Sequence, residues 1–86
     1  MNELELEGKV QQVVLVLLGN GFSSEAERLR RALADLFNGN RPRRDCLSEI
    51  EGLCGVKSFG DLYITGIEDS AWLKLLSDVR ALAKEG

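Results

Sequence analysis

The chain has 86 residues, of which 44% are hydrophobic and 29% are charged, and its formal net charge is −3. This length and composition predict one small globular domain, residues 1–86, and exclude a disordered or fibrous chain. The longest apolar run, residues 13–18, is far shorter than the roughly 20 residues of a membrane span, and no charged-then-apolar leader opens the chain, so we expect neither a membrane protein nor a secreted one.

The first predicted element is a helix over residues 4–18, followed by a stop in the glycines of residues 19–21. Its predicted inward residues are Val10, Val13, Val14, Leu17 and Leu18. Leu15 and Val16 lie about 130° to either side of that face, at about 100° per residue. Either neighbouring helices cover the first helix on most sides, or an apolar flank is left for a partner subunit.

The second helix is predicted over residues 24–37, with a stop at residues 38–40 around Gly39. Ser24 and Glu27 match a capping box, in which the two side chains satisfy free amides at a helix start. Arg31 is four residues from both Glu27 and Asp35, which predicts two ion pairs on the outer side of the helix. The predicted inward stripe is Ala26, Leu29, Leu33, Leu36 and Phe37.

The third helix is shorter and is predicted from residue 44 or 45 to residue 54. Its apolar face is Cys46, Leu47, Ile50, Leu53 and Cys54. Eight residues of helix separate the two cysteines by about 12 Å, which is too far for a disulfide. The chain has no histidine and no third cysteine to complete a metal set, so we expect two buried, reduced thiols in a cytoplasmic protein.

The last helix is predicted to start at a cap in Asp69 or Ser70 and to run to about Lys84. Its apolar face is Trp72, Leu75, Leu76, Val79, Leu82 and Ala83. The preceding stretch, residues 56–67, is predicted to be an ordered loop with a short extended piece. Four amphipathic helices with short links predict a compact all-α bundle with an ordered loop between helices three and four.

The side-chain inventory argues against catalysis. Histidine is absent, and the cysteines lie in an apolar stripe where nothing activates a thiol. The carboxylates show no spacing that would pair a general acid with a general base. We therefore expect no catalytic residue, no cofactor-binding residue and no metal ligand, and the chain is not predicted to be an enzyme.

Charge is distributed unevenly along the chain. The net charges of residues 1–27, 28–44 and 45–86 are −4, +5 and −4. The basic middle third offers a surface for nucleic acid through Arg28, Arg31, Arg41, Arg43 and Arg44. No aromatic residue is interleaved among these arginines for base stacking, and the rest of the chain is acidic, which disfavours nucleic acid as the partner.

Residues 55–64 resemble the Gly-x-Gly-Ser-Phe-Asn-Asp-Leu signature of a family of small bacterial domains. The match lies at Gly55, Ser58, Phe59 and the Asp61–Leu62 pair. The resemblance implies two or three helices before the motif, one helix after it, and a protein of the immunity or antitoxin type. We interpret Ser58 and Asp61 as the polar residues of a capping or Asx-type turn, with Phe59 and Leu62 anchored in the core.

Together these features predict a non-catalytic protein that binds and neutralises a toxin domain with a basic surface. The predicted contact residues are Glu49, Glu51, Asp61, Glu68 and Asp69, with Tyr63 as an aromatic anchor. Two alternatives stay open: a nucleic-acid-associated or regulatory protein that uses the basic third, and a structural homodimer joined through the first helix. We expect a monomer, because the amphipathic helices are numerous enough to enclose the first helix.

Overall fold

Four helices make up most of residues 3–55 and 57–85, the part of the chain that the computed structural model describes. They are α1 at Glu3–Gly19, α2 at Ser23–Asn38, α3 at Arg43–Leu53 and α4 at Asp69–Glu85, with one turn of 3₁₀ helix at Phe59–Asp61. No strand occurs among the described residues. The predicted all-α bundle is confirmed, and in the connection before α4 the 3₁₀ turn is followed by extended backbone at Leu62.

The helices form a closed ring in which α1 packs on α2, α2 on α3, α3 on α4, and α4 back on α1. Lys9 of α1 lies 3.4 Å from Asp78 of α4. The residue after α1, Asn20, is hydrogen-bonded to Thr65, which precedes α4. These contacts place α1 and α4 antiparallel, and each helix has one neighbour on either side.

Two glycine turns connect the first three helices. Gly21 and Gly39 have φ values of 82° and 70°, in the left-handed region that glycine adopts without steric cost. The Phe22 amide donates to the Leu17 carbonyl at 2.9 Å, and the Gly39 amide donates to the Asp35 carbonyl. These bonds satisfy carbonyls that would otherwise be free at the helix ends, and they confirm both predicted stops.

The start of α2 differs from the predicted capping box. The helix begins one residue earlier than predicted, and Phe22 occupies the cap position without any side-chain hydrogen bond. Phe22 packs against the core and sets where the helix begins, so Ser24 lies inside the first turn. Glu27 contacts Arg31 at 3.8 Å, as predicted, but the predicted pair of Arg31 with Asp35 is wrong. The carboxylate of Asp35 binds another arginine, described below.

The core is built from apolar residues of all four helices and of the connection before α4. From α4 it takes the six residues that the periodicity predicts, which are Trp72, Leu75, Leu76, Val79, Leu82 and Ala83. On α2 the predicted stripe is right except at Phe37, which is 43% exposed. Phe37 lies at the rim of a groove between α1 and α2, where no other helix covers it.

Helix α1 carries apolar side chains on two opposite faces. Its buried face is Leu6, Val10, Val13, Val14 and Leu17. On the other side Leu4, Leu15 and Leu18 are 79%, 68% and 46% exposed, while Val16 is half-buried against the core. The inward placement of Leu18 and the enclosure of Leu15 are therefore wrong predictions, because each helix of the ring has two neighbours and one side of α1 is left uncovered.

The connection between α3 and α4 is ordered by packing. Phe59 and Ile64 are buried and Leu62 packs against the core, which confirms the predicted anchoring of Phe59 and Leu62. The indole nitrogen of Trp72 donates a buried hydrogen bond of 3.1 Å to the Phe59 carbonyl and so ties the connection to α4. Val56, the first residue of the predicted loop, lies outside the described residues.

Backbone bonds and one asparagine shape this connection. The Asp61 amide donates to the Ser58 carbonyl at 3.1 Å, and Ser58 makes no side-chain cap bond, so the predicted Asx-type turn is wrong. The side-chain oxygen of Asn20 accepts both the Thr65 amide at 2.8 Å and the Thr65 hydroxyl at 2.9 Å. Its side-chain nitrogen donates to the Thr65 carbonyl at 3.2 Å. Asn20 thus fastens the connection to the end of α1.

Candidate interaction surfaces

The six predicted contact residues divide into two groups, and the first group is engaged within the chain. Glu49 accepts a hydrogen bond of 2.6 Å from Arg41, whose Nε atom lies 2.9 Å from Asp35. The hydrogen bond to Glu49 raises the pKa of the Arg41 guanidinium, and Asp35 adds to this effect. Glu51 lies 3.8 Å from the Lys84 ammonium. These ion pairs link α3 to α2 and α4, so Glu49 and Glu51 are only partly free to meet a partner.

The second group, which we name the Tyr63 surface, lies on the connection and the first turn of α4. Its members are Asp61, Tyr63, Glu68 and Asp69, all of them exposed. Tyr63 is 83% exposed, although its neighbours Leu62 and Ile64 are held by the core. Among the described residues, none makes a hydrogen bond or ion pair with the side chains of this surface. The structure therefore exposes one aromatic ring and three carboxylates without an ion pair among the described residues on this connection and the first turn of α4.

The arginines of the basic third do not form one free patch. They are Arg28, Arg31, Arg41, Arg43 and Arg44. Arg31 contacts Glu27 and Arg43 contacts Glu3, while Arg41 has the two carboxylates already described. Three of the five guanidinium groups are thus paired with acids of this chain, which leaves less positive charge for a phosphate backbone.

The two cysteines are buried and unbridged, as predicted. Burial raises the pKa of the Cys54 thiol to about 12, against a smaller opposite effect of the Arg80 guanidinium. A thiol with so high a pKa carries almost no thiolate at neutral pH, and the thiolate is the nucleophile and the metal ligand. Within residues 3–55 and 57–85, no three side chains of His, Cys, Asp or Glu are grouped to hold a metal ion.

Two surface grooves flank the bundle. One, of about 470 Å³, lies between α1 and α2 and is lined by Val10, Val14 and Phe37 together with charged side chains. The other, of about 490 Å³, lies between α3 and α4 and includes Leu47 and Ala83. Neither of these two grooves contains a cysteine, whereas a smaller cavity of about 180 Å³ beside α4 is lined by Cys54 together with Leu73 and Arg80.

The sequence leaves open an apolar flank of α1 at Leu15 and Val16, and in the structure Leu15 is exposed, Val16 is half-buried, and Leu4 and Leu18 join the exposed side. We name this exposed side the α1 seam and define it as Leu4, Gly8, Gln11, Leu15 and Leu18, all of which are exposed. At about 100° per residue these positions fall within an arc of about 80°, turned away from the buried face. The regular spacing of these five residues is the sequence signal for this face, and placing Leu18 on the inward face obscures it.

Comparison of the chain with protein-family models, with curated proteins and with solved structures found no match. The resemblance of residues 55–64 to the bacterial family therefore stays a prediction. None of the described helices is both long enough and apolar enough to cross a membrane.

Proposed function

We propose that this chain is a non-catalytic protein-binding module that neutralises a bacterial toxin domain with a basic surface, as an immunity protein or antitoxin does. The observation that carries the proposal is the exposure of Tyr63, 83% of whose side chain is open to solvent on an otherwise anchored segment. Tyrosine is enriched at the energetic centres of protein interfaces, because its ring buries a large apolar area and its hydroxyl group still finds a polar partner.

The way the Tyr63 surface is held supports a binding role. Phe59 and Ile64 are buried on either side of Tyr63, and the Asn20–Thr65 bonds fix the end of the segment. Binding to a segment that is already ordered loses less conformational entropy than binding to a mobile loop. The fold thus lowers the entropic cost of presenting this side chain to a partner.

Charge indicates the chemistry of the partner. Asp61, Glu68 and Asp69 are exposed, and none of them forms an ion pair with the described part of the chain. Like-signed phosphates would be repelled by these carboxylates, whereas a basic protein surface would be attracted and its encounter accelerated. Since the arginines are largely paired internally, these charges favour a protein partner over nucleic acid.

The proposal is tested by capture followed by kinetics. The immobilised chain is exposed to a lysate of the cells that encode it, beside a Tyr63→Ala variant and an Asp61→Lys/Asp69→Lys variant. We expect a basic protein to be retained by the unaltered chain and lost from both variants. Its association rate should fall steeply with added salt, because steering is screened beyond about 8 Å at physiological ionic strength. Co-production should relieve the toxicity of the captured protein.

A matched control uses the other end of α4. Glu85 is exposed like Asp69, but it lies at the opposite end of the same helix. A Glu85→Lys variant should therefore retain the partner while the Asp61→Lys/Asp69→Lys variant loses it. Equal retention by all variants would remove the Tyr63 surface from the interface, and a captured protein without toxicity would contradict the toxin-neutralising role.

A further inference from the structure

We propose that the α1 seam is a homodimer interface in which two copies of this chain pair antiparallel, with their two-fold axis at Gln11. The proposal goes beyond the protein-binding function above and rests on other residues. Leu4 and Leu15 are 79% and 68% exposed on this seam. They are not needed to attach α1 to the bundle, because the buried face of α1 carries five other apolar residues. Exposed apolar side chains aligned on one helix face mark an interaction site.

The spacing of the seam is that of a helix-pairing surface. Its members Leu4, Gly8, Gln11, Leu15 and Leu18 are alternately four and three residues apart. This is the spacing of the core positions of a coiled coil, whose average of 3.5 residues keeps one stripe facing a partner helix along its length. The buried face of α1 already serves the four-helix core, so the seam is available to a helix from outside the bundle.

The pattern is complementary to itself when reversed. In an antiparallel pair centred on Gln11, Leu4 of one copy lies level with Leu18 of the other, and Gly8 lies one residue, about 1.5 Å along the axis, from the level of Leu15. Each leucine of one copy then lies within about 1.5 Å, along the axis, of a glycine or a leucine of the other. At the centre the two Gln11 side chains face each other, and each amide group can donate and accept a hydrogen bond. One patch that fits its own copy is what a two-fold symmetric interface requires.

Gly8 gives an independent argument for a homodimer interface at the α1 seam. A glycine inside a helix is unfavourable relative to alanine, so a structural need usually explains it. Gly8 has no such need within the chain: it has no positive φ, and a Cβ atom placed on it would meet nothing within 4 Å. Its position opposite Leu15 of a second copy explains the glycine, because the missing side chain leaves space for the leucine.

The charges of α1 select the antiparallel orientation. All three acids, Glu3, Glu5 and Glu7, lie near the start of the helix, and no charged residue occurs from Val10 to Gly19. Parallel pairing would place the acids of both copies side by side. Antiparallel pairing puts each acidic end beside an uncharged end and separates the two Glu5 residues by about 18 Å along the axis, which is beyond the Debye length of about 8 Å at physiological ionic strength.

The experiment is sedimentation equilibrium over a range of protein concentrations, with circular dichroism to monitor folding. We expect the mass to approach twice 9.5 kDa as the concentration rises. Leu15→Glu should return the mass to 9.5 kDa without loss of helix, because the side chain is exposed in the single chain. The control is Leu73→Glu, which adds the same charge at a residue of α4 that is 43% exposed and lies outside the seam, and which should leave the dimer intact.

Orientation is tested by mixing two single-cysteine additions, Leu4→Cys and Leu18→Cys. The native thiols are buried and do not compete. In the antiparallel pair a disulfide forms only between the two different variants, since that pairing brings their Cα atoms within the roughly 4.4–6.8 Å that a disulfide spans. A monomer at every concentration, a dimer unaffected by Leu15→Glu, or crosslinks within each variant alone would each overturn the proposal.

Discussion

Helices α1 and α4 have the same length, 17 residues each, yet they relate to the bundle differently. In α4 the apolar stripe lies on one face, and all six of its predicted residues are buried. In α1 apolar residues lie on two faces, and only one face is covered. An apolar stripe therefore predicts the buried face of a helix when the opposite face is polar. When the opposite face is also apolar, as in α1, the sequence does not show which of the two faces is buried in the chain.

The polar residues of the outer face of α4 can be seen in its sequence. Lys74 and Asp78 stand between its apolar positions and pair with each other at 3.5 Å across one turn. Helix α1 has only two glutamines between its apolar residues after Lys9. If the α1 seam binds a second copy, its leucines are apolar because they are removed from water in the dimer, as core residues are in the single chain. Burial in the dimer depends on protein concentration, whereas burial in the core does not.

The largest expected effect separates the two faces of α1. Leu17→Ala should lower the free energy of unfolding by about 2–5 kcal/mol, because Leu17 is fully buried and the substitution leaves a cavity. Leu76→Ala, on the buried face of α4, should cost a similar amount. Leu15→Ala should cost nothing comparable at dilution, where a dimer is dissociated. Urea titrations measure all three, and a loss of several kcal/mol for Leu15→Ala in a dilute monomer would contradict the two-face assignment.

The second effect concerns the thiol of Cys54, which lies at the end of α3 and is buried. Burial raises the pKa of the Cys54 thiol to about 12 from an unfolded value of 9.0. As the pH rises, the thiol therefore loses its proton in the unfolded chain first. The contribution of this thiol to the free energy of unfolding is then fully present below pH 9. It falls by about 1.4 kcal/mol per pH unit between pH 9 and 12. Denaturation at several pH values should show this slope reduced in Cys54→Ala, while the ionisation of other groups is common to both proteins. Equal slopes would contradict the desolvated thiol.

A third effect tests the junction of α4 with the connection before it. Trp72→Phe removes the indole donor of the buried 3.1 Å bond and leaves the Phe59 carbonyl with the Leu62 amide as its remaining donor, which should cost about 0.5–1.5 kcal/mol. Tyr63→Phe is the matched control, since it removes the hydroxyl group of an exposed ring and should change stability by less than about 0.5 kcal/mol. Equal losses in the two variants would show that the buried bond contributes nothing.

The smallest effect has opposite signs for folding and association. Gly8→Ala should stabilise the single chain by about 0.5–1 kcal/mol through helix propensity, and it should weaken the dimer by filling the space opposite Leu15. Gly52→Ala is the control: Gly52 is also helical and exposed, and an added Cβ atom there also meets nothing within 4 Å. It should stabilise α3 and leave association unchanged. A Gly8→Ala variant that dimerises as well as the unaltered chain would count against the seam.

The helices and most of the core could be predicted because they depend on local spacing. The stops at Gly21 and Gly39 follow from turn chemistry alone. The bridge of Arg41 between Asp35 and Glu49 could not be predicted, since it requires the spatial arrangement of α2 and α3. The internal pairing of Glu49 likewise removed part of the predicted contact surface.

Tertiary packing also overrode two local motifs. Phe22 packs on the core and shifts the start of α2, which leaves the Ser24 capping box unused. Asn20 reads as a turn residue in sequence, and its bonds to Thr65, 45 positions away, arise only when α1 and α4 are antiparallel. Of the candidate sites, Tyr63 and its acids were predicted from residue type, while the α1 seam emerged once the buried face of α1 was known.

The most direct test of the two faces of α1 is the midpoint of thermal unfolding, measured over a hundredfold range of protein concentration. The unaltered chain should unfold at a higher temperature as its concentration rises, because association stabilises only the folded chain. Leu15→Glu should unfold at one temperature throughout, and Leu17→Ala should unfold at a lower temperature that still rises with concentration. A midpoint for the unaltered chain that does not change across the range would contradict the account.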